Sequence, residues 1–203
     1  MTSPIAYHRV AVLGSGAGSN ARALIRYSQS DAACPYRVVL VVGTRPDSGI
    51  VQMARDLGVE SHVLVGKAQE ESAGELLEVL RKNDVEVLAL AGFMRLLPQS
   101  VIQGMSGHVL NIHPALLPRF GGKGMYGMHV HRAVIEAVET ESGCTVHMVD
   151  GEYDRGRILG QRRVPIVSSD TPETLQDKVK EAEHRLYPEV LSSYVRHLGQ
   201  ARD

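Results

Sequence analysis

The chain has 203 residues, which is enough for one domain with a substantial core. A formal net charge of -1 and the lack of a basic tract argue against a general nucleic-acid binder, because such proteins neutralise many phosphates. The apolar runs are too short to span a bilayer. Residues 1–8 lack the features of a secretory signal, and only Cys34 and Cys144 are cysteines, so we expect a soluble protein of the reduced cytoplasm.

The first predicted unit is a strand, a glycine-rich turn and a helix. Residues 9–13 have the apolar character of a strand, residues 14–20 carry three glycines, and residues 21–29 predict the helix that follows. Backbone N–H groups in such a turn approach an anion closely, and the helix N-terminus adds a favourable dipole. The unit therefore predicts a phosphate-binding site, to which the side chains of Ser19 and Asn20 can contribute.

A dinucleotide-binding fingerprint competes with this interpretation. It fits poorly because the third glycine position, counted from Gly14, is occupied by Ser19. The second predicted strand, residues 36–42, is also followed by Gly43-Thr44-Arg45, without the acidic residue that binds an adenosine ribose. Arg45 is compatible with a phosphorylated ribose, so a cofactor of that kind stays open.

The next elements alternate between helix and strand. Helices are predicted around residues 50–57 and 74–82, and strands at residues 62–65 and 85–91. Such alternation implies parallel pairing, so the predicted fold is α/β with a doubly wound, mostly parallel sheet. The apolar residues 92–98 follow the last of these strands, and they either form the wall of a pocket for a flat heterocycle or pack the next helix.

The central motif is residues 108–118. Its first part, residues 108–112, has the character of a short buried strand, and Pro114 ends that strand because proline cannot continue ladder pairing. Asn111 and His113 therefore lie at the carboxyl end of a strand, which is the edge at which open α/β sheets bind ligands. The motif predicts that both side chains belong to an active site.

Several histidines follow this motif. A glycine-rich loop, residues 119–128, precedes a helix predicted at residues 133–138 and a strand at residues 144–149. The histidine spacing matches no standard zinc pattern, so no metal site is predicted. His147, within the strand, either points into the site or is a satisfied core histidine.

An acidic loop, residues 150–156, is the second informative motif. Glu152 in this loop is most simply a solvated residue. Asp154 becomes available to pair with His113 if the loop folds back over the sheet edge. Such an ion pair is expected to raise the pKa of His113 and to hold the imidazolium for proton transfer.

The C-terminal part predicts an edge strand and a helix. Residues 158–166 form the strand, which we expect to pair antiparallel, and the helix begins with Pro172 in its first turn and carries an apolar stripe. Pro188 is expected to break or kink this helix before residues 190–198 continue it. Glu183 is most simply a partly exposed residue at the border of the stripe.

Together these motifs resemble the phosphoribosylglycinamide formyltransferases, which are 10-formyltetrahydrofolate-dependent formyltransferases. The specific part of the resemblance is Asn111-Ile112-His113-Pro114 followed by the acidic loop, and residues 14–20, 90–95 and 145–147 agree with it. The resemblance covers nearly the whole chain. It implies a Rossmann-like formyltransferase fold with a C-terminal antiparallel edge strand and helix.

The resemblance also implies a domain organisation and an activity. It implies one formyltransferase domain over residues 1–203, with a phosphate-binding half at residues 1–105 and a catalytic and folate-binding half at residues 106–203. The implied enzyme transfers the formyl group of 10-formyltetrahydrofolate to the amine of phosphoribosylglycinamide in purine biosynthesis. Its expected partners are these two small molecules, without nucleic acid, membrane or metal, and the chain is expected to be a monomer or a homodimer. A related folate enzyme with another acceptor, and a non-catalytic or redox dinucleotide-binding domain, are the alternatives.

The resemblance assigns roles residue by residue. The catalytic residues that it implies are Asn111, His113 and Asp154. The residues that it implies for binding the ribonucleotide are Gly18, Ser19, Asn20 and Glu183. The folate-binding residues that it implies are Met94, Arg95, Leu96, Leu97, Asn111, Val149, Asp150, Gly151, Glu152, Tyr153 and Asp154. The arginine that often meets the folate tail is missing from residues 67–74, which leaves Lys67 or Gln69 as stand-ins.

Overall fold

The computed structural model describes residues 7–66 and 69–200. Lys67 and the side chain of Gln69, considered above for the folate tail, lie outside the described part. In chain order, the elements are β1 (His8–Gly14), α1 (Ser19–Ser30), β2 (Tyr36–Gly43), α2 (Gly49–Asp56), β3 (Glu60–Val63), α3 (Gln69–Lys82), β4 (Val87–Leu90), α4 (Gln99–Gly104), β5 (Val109–His113), α5 (Met128–Glu136), β6 (Glu141–Met148), β7 (Ile158–Pro165) and α6 (Pro172–Gln200).

Seven strands form one sheet in the order β3-β2-β1-β4-β5-β6-β7. β1 pairs in parallel with β2 and β4, β2 with β3, and β4 with β5, so the predicted mostly parallel sheet is confirmed. β7 is the predicted edge strand and pairs antiparallel with β6. The reversal of direction occurs at β6, which is antiparallel to both of its neighbours. β7 consequently runs in the same direction as β1 to β5.

Both faces of the sheet are covered by helices. Val10 and Val12 of β1 belong to an apolar core that also contains residues of α1, α2, α5 and α6. Ala11 and Leu13 belong to a second core, which contains residues of α3 and α4. Successive strand residues point to opposite faces, and a strand that is buried on both faces is therefore apolar throughout. This explains why residues 10–13 of β1 are a continuous apolar run, and it confirms the doubly wound architecture.

Three helices differ from the sequence prediction. α3 begins at Gln69, five residues before its predicted start near residue 74. α5 begins at Met128, five residues before the predicted start, because Gly127 has a positive φ of 52° and ends the preceding loop. α6 continues through Pro188, so a break there is wrong, and a kink, the other predicted outcome, stays a prediction. The helix persists because Tyr187 and Leu191, on either side of the proline, are both fully buried in the core, and this packing outweighs one lost backbone hydrogen bond. Within the described ranges, no helix combines the length and the apolar character needed to cross a bilayer.

Tyr187 attaches α6 to β4, which leads into the apolar loop, and to β5, which belongs to the central motif. Its side chain is fully buried, and its hydroxyl group lies 3.1 Å from the carbonyl oxygens of both Leu90 and Leu110. Burial raises the pKa of this phenol well above its ordinary value, so the hydroxyl keeps its hydrogen and donates it. Because Leu110 directly precedes Asn111, the contact fixes the backbone from which that side chain projects.

Tyr187→Phe is expected to lower the free energy of unfolding by about 1–3 kcal/mol, because two buried carbonyl oxygens lose their hydroxyl donor. Chemical denaturation of both proteins measures the difference. Tyr27→Phe, which removes a hydroxyl from a side chain that is 39% exposed, is the matched control and should leave the midpoint unchanged. Equal stability of the wild type and the Tyr187 variant would show that the hydroxyl does not fasten the helix.

Candidate active site

A cavity of about 670 Å³ lies at the carboxyl ends of β1, β4 and β5. It is lined by the glycine-rich turn after β1, the apolar loop after β4, the central motif and one face of α6. Its size is typical of small-molecule sites, and its location is the one at which open α/β sheets bind ligands. The motifs that the sequence analysis singled out therefore meet in one place.

The three predicted catalytic residues all line this cavity. His113 is 3% exposed, and its Nδ1 lies 3.5 Å from Oδ2 of Asp154. Its Nε2 lies 2.8 Å from the carbonyl oxygen of Phe120. A carbonyl oxygen only accepts, so Nε2 carries the hydrogen and the nitrogen left for proton exchange is Nδ1.

The pKa shift of His113 beside Asp154 differs from the one expected from the sequence. Burial lowers the pKa of His113, and the charge of Asp154 and the carbonyl of Phe120 offset this only in part. The expected rise of the His113 pKa is thus wrong in its net direction, because desolvation outweighs the ion pair. Burial alone raises the pKa of Asp154, but His147, His113 and the N–H of Gly122 together lower it below its ordinary value. At neutral pH the pair is a neutral imidazole beside an ionised carboxylate.

His147 belongs to the site, which the sequence analysis left open. Its Nδ1 lies 2.7 Å from the carbonyl oxygen of Met148 and must carry the hydrogen. Its Nε2 therefore accepts, and it lies 3.1 Å from the side-chain nitrogen of Asn111. This bond orients the amide of Asn111 and leaves its second N–H for a ligand. The missing signal was the antiparallel register of β5 and β6, which places His147 opposite Asn111.

A bridging segment, residues 120–122, holds both His113 and Asp154. The carbonyl of its first residue accepts from His113, and the N–H of its third residue donates to Oδ2 of Asp154 at 2.9 Å. A Cβ atom on Gly121 would lie 2.5 Å from the side chain of Leu117 and 3.2 Å from Cβ of Asp154. A side chain at position 121 would therefore press on both Leu117 and Asp154, and glycine lets this segment approach them closely. The sequence analysis assigned no role to these residues.

The predicted ribonucleotide-binding residues lie towards one end of the cavity. Ser19 and Asn20 line it at the start of α1, where backbone N–H groups are unpaired. Gly18 shapes the turn, with a φ of 80° and with Ile50 too close to admit a Cβ atom. The side-chain nitrogen of Asn20 donates to Glu183 at 2.8 Å. These four predicted residues are thus brought together.

Glu183 is 7% exposed, so its expected partial exposure is wrong. α6 turns this residue inward towards Asn20 and the cavity, although a charged residue at the border of a stripe usually faces solvent. Burial raises its pKa to about 6, against the hydrogen bond from Asn20 and the charge of Lys180. Lys180 lines the same cavity, and the sequence analysis overlooked it. The signal was present, because Lys180 and Glu183 are three residues apart and share a helix face.

The predicted folate-binding residues surround the other part of the cavity. Those that line it are Met94, Arg95, Leu96, Leu97, Asn111, Val149, Glu152, Tyr153 and Asp154. Asp150 and Gly151 lie in the same loop but are not among the lining residues in the described chain. Glu152 is exposed, as expected, and its carboxylate lies 3.4 Å from the guanidinium of Arg155. Within residues 7–66 and 69–200, no three histidine, cysteine, aspartate or glutamate side chains are grouped closely enough to hold a metal ion.

Comparison with known proteins agrees with this geometry. The formyl transferase family model matches residues 8–191. The chloroplastic phosphoribosylglycinamide formyltransferase of Arabidopsis thaliana is 44% identical over 189 residues, which are 91% of this chain and 64% of that protein. The chain thus spans less than two thirds of that relative's length.

Two solved structures are similar to this fold. Glycinamide ribonucleotide transformylase 1 from Symbiobacterium toebii superposes with a TM-score of 0.87 at 32% identity, covering 94% of this chain and 89% of its own. Phosphoribosylglycinamide formyltransferase from Brucella melitensis has a TM-score of 0.85 at 37% identity, with 93% and 96% covered. The resemblance proposed from the sequence is confirmed. The chain belongs to the formyl transferase family.

Proposed function

We propose that this chain transfers the formyl group of 10-formyltetrahydrofolate to the amine of phosphoribosylglycinamide, a step of purine biosynthesis. The observation that carries the proposal is the convergence of Asn111, His113 and Asp154 in one cavity, between an anion-binding helix start and an apolar wall. The names of its relatives support the same activity. The partners are therefore two small molecules, one at each end of the cavity.

The proposed organisation is one formyltransferase domain over residues 1–203. Residues 1–105 contribute the phosphate-binding turn, and residues 106–203 contribute the catalytic residues and most of the folate-binding loop. The apolar wall after β4 belongs to the first half, so both halves line the folate end of the cavity. We place the reaction in the cytoplasm, because Cys34 and Cys144 are both free and buried.

The residues of the anion-binding end suit a ribonucleotide phosphate. The N–H groups of Ser19 and Asn20 at the start of α1 donate to phosphate oxygens, and Gly18 keeps the turn tight enough for that approach. Lys180 adds a positive charge to the same cavity. Glu183 binds the ribosyl part of the acceptor through its carboxyl oxygens. This arrangement matches an anionic, polyhydroxylated acceptor.

The residues of the apolar end suit a flat pterin ring. Leu97 is 3% exposed and Met94 is 54% exposed, so this wall runs from the core to the cavity rim. Leu96 and Val149 complete the apolar lining, and the backbone of residues 152–154 offers donors and acceptors to the edge of the heterocycle. Arg95 at the rim meets the acidic part of the folate.

In the proposed reaction, the acceptor amine bonds to the formyl carbon and negative charge develops on the formyl oxygen. The free N–H of Asn111, oriented by His147, donates to that oxygen. Donors that are aimed at developing charge in a desolvated site typically supply a factor of about a hundred to a thousand in rate. The buried position of His147 keeps this donor in place before the substrates bind.

Nδ1 of His113 takes the proton that the attacking amine loses. Ionised Asp154 stabilises the imidazolium that forms, and the carbonyl of Phe120 holds the opposite side of the ring. The imidazolium then faces the oxyanion together with Asn111. When the bond between the formyl carbon and the folate nitrogen breaks, the same Nδ1 returns the proton to that nitrogen. Charge and protons balance without a covalent enzyme intermediate.

A formyl-transfer assay with phosphoribosylglycinamide and several other amines tests the proposed function directly. Calorimetric titration adds a cheaper comparison between a folate analogue and NADPH. We expect micromolar binding of the folate analogue and turnover with the ribonucleotide amine. Tight NADPH binding without folate binding would instead favour the dinucleotide-binding alternative, and turnover with another amine alone would change the acceptor.

Asp154→Asn should lower the turnover number by about a hundredfold or more, because the imidazolium that forms loses its carboxylate partner. Binding of the ribonucleotide should survive, since Asn20 and Glu183 are untouched. Asp47→Asn, on an exposed loop, is the control and should keep full activity. Near-normal turnover of the Asp154 variant would remove this carboxylate from the mechanism.

Gly121→Ala should lower the turnover number by about tenfold or more, because the new Cβ atom displaces the segment that aligns His113 and Asp154. Gly74→Ala is the matched control, since a Cβ atom there would meet no described atom within 4 Å. The control should keep full activity and gain up to about 1 kcal/mol of stability, because alanine favours a helix. Equal turnover of both variants would contradict the alignment role.

Glu183→Gln should stabilise the unliganded protein near neutral pH while weakening ribonucleotide binding. The folded-state pKa of Glu183, about 6, exceeds its ordinary value of 4.5, so its contribution to wild-type stability is fully present below pH 4.5 and is lost as the pH rises through 6. Glutamine avoids that loss, which is worth roughly 2 kcal/mol. Chemical denaturation between pH 5 and 7.5 should show that the difference in unfolding free energy between the variant and the wild type grows as the pH rises. A difference in unfolding free energy that does not change with pH would contradict the raised pKa of Glu183.

A further inference from the structure

His131 is a buried histidine to which the proposed chemistry gives no role. It lies in α5, lines the cavity and is 2% exposed. Its Nδ1 is shielded from solvent and has no hydrogen-bond partner among the described residues. A buried polar atom without a partner costs about 1–3 kcal/mol, and native structures rarely retain one without a reason.

A second residue that lines this cavity also carries a polar atom without a hydrogen-bond partner. Oδ1 of Asn20 is shielded from solvent and lacks a partner within the described chain, although the side-chain nitrogen of that residue is paired with Glu183. Asn20 and His131 come from different helices, α1 and α5, and both line the cavity. Two residues that line one small-molecule cavity thus each carry an unsatisfied polar atom, which a polar ligand can satisfy when it binds.

Packing alone does not explain a histidine at this position. The neighbouring core residues of α5, Val130 and Val134, are apolar and buried at 0% and 1% exposure. An apolar ring at position 131 would fill a similar volume without leaving a ring nitrogen unsatisfied. The unpaired Nδ1 of His131 therefore destabilises the unliganded protein. A ligand that hydrogen-bonds this atom removes that destabilisation on binding.

His131 lies within electrostatic range of the catalytic His113 and of Lys180. Burial lowers its pKa to about 4, and the further lowering comes from the charges of Lys180 and His113. Lys180 also lies close enough to influence Glu183, the residue that pairs with Asn20. His131 is therefore a neutral imidazole, with one donor and one acceptor nitrogen, flanked by the catalytic histidine and the cation of α6.

We propose that His131 is a binding residue for the acceptor substrate and hydrogen-bonds its uncharged middle segment, the ribosyl and amide groups between the reactive amine and the phosphate. The inference rests on the proposed function. A neutral imidazole suits this segment, because hydroxyl and amide groups each offer donors and acceptors but no charge. His131 and Asn20 then hydrogen-bond the acceptor substrate from two sides. These bonds set the distance between the amine of that substrate and His113.

The test is the separate binding of the two substrates to His131→Phe. The dissociation constant and the KM of phosphoribosylglycinamide are expected to rise about tenfold, while the dissociation constant of a folate analogue stays within twofold of the wild-type value. His131→Asn, whose amide nitrogen occupies the position of Nδ1, should recover most of the acceptor affinity. His131→Gln, whose amide lies near the position of Nε2, should recover less.

His184→Phe is the matched control. His184 is also a histidine with a shielded, unpaired ring nitrogen in the described chain, but it does not line the cavity. Its replacement should leave both dissociation constants unchanged, and thermal unfolding of every variant verifies that it folds.

Three outcomes would overturn the inference. Unchanged acceptor binding in His131→Phe, with normal folate binding, would do so and leave the proposed function intact. Equal weakening of both substrates would show a structural role instead. Failure of the wild type to bind either substrate would remove the proposed function first and this inference with it.

Discussion

The site depends on a buried contact between a carboxylate and an imidazole. Asp154 is largely buried and ionised, which is costly unless the protein supplies compensating groups. A backbone N–H from the bridging segment and the neighbouring imidazole of His113 provide that compensation. The same segment supplies the carbonyl that holds the far side of the ring. One short stretch of main chain therefore fixes the separation of the two groups, and a side chain at Gly121 would disturb both contacts together.

The fold explains why residues so distant in the sequence meet. Parallel strands deliver the ends of β1, β4 and β5 to one edge, so the phosphate-binding turn, the apolar wall and the central motif are neighbours by topology. The reversed strand β6 then brings His147 beside Asn111. α6 closes the other side of the cavity, and the hydroxyl of Tyr187 attaches that helix to the strands carrying the site. The contributions of the C-terminal helix therefore depend on how it packs against the sheet and against α1 and α5.

The periodic features of the sequence predicted the fold well, whereas features that depend on three-dimensional surroundings were missed. Apolar runs and turns located the seven strands, most clearly in strands such as β1 and β4, where burial on both faces leaves a direct record in composition. The direction of the His113 pKa shift was wrong, since desolvation depends on all the atoms around the ring. The burial of Glu183 was missed because its partner, Asn20, is 163 positions away in the chain. The role of the bridging segment was invisible because its functional groups belong to the backbone.

A neutral resting His113 suits the proposed reaction better than the imidazolium expected from the sequence. An attacking amine must lose a proton, and an imidazole that already carries two hydrogens has no lone pair with which to take it. Burial keeps Nδ1 free, while ionised Asp154 lies 3.5 Å away and stabilises the positive charge once the proton arrives. The same desolvation strengthens the bond from Asn111 to the formyl oxygen. Burial, which costs stability in the resting protein, thus sets the protonation state from which the transfer begins.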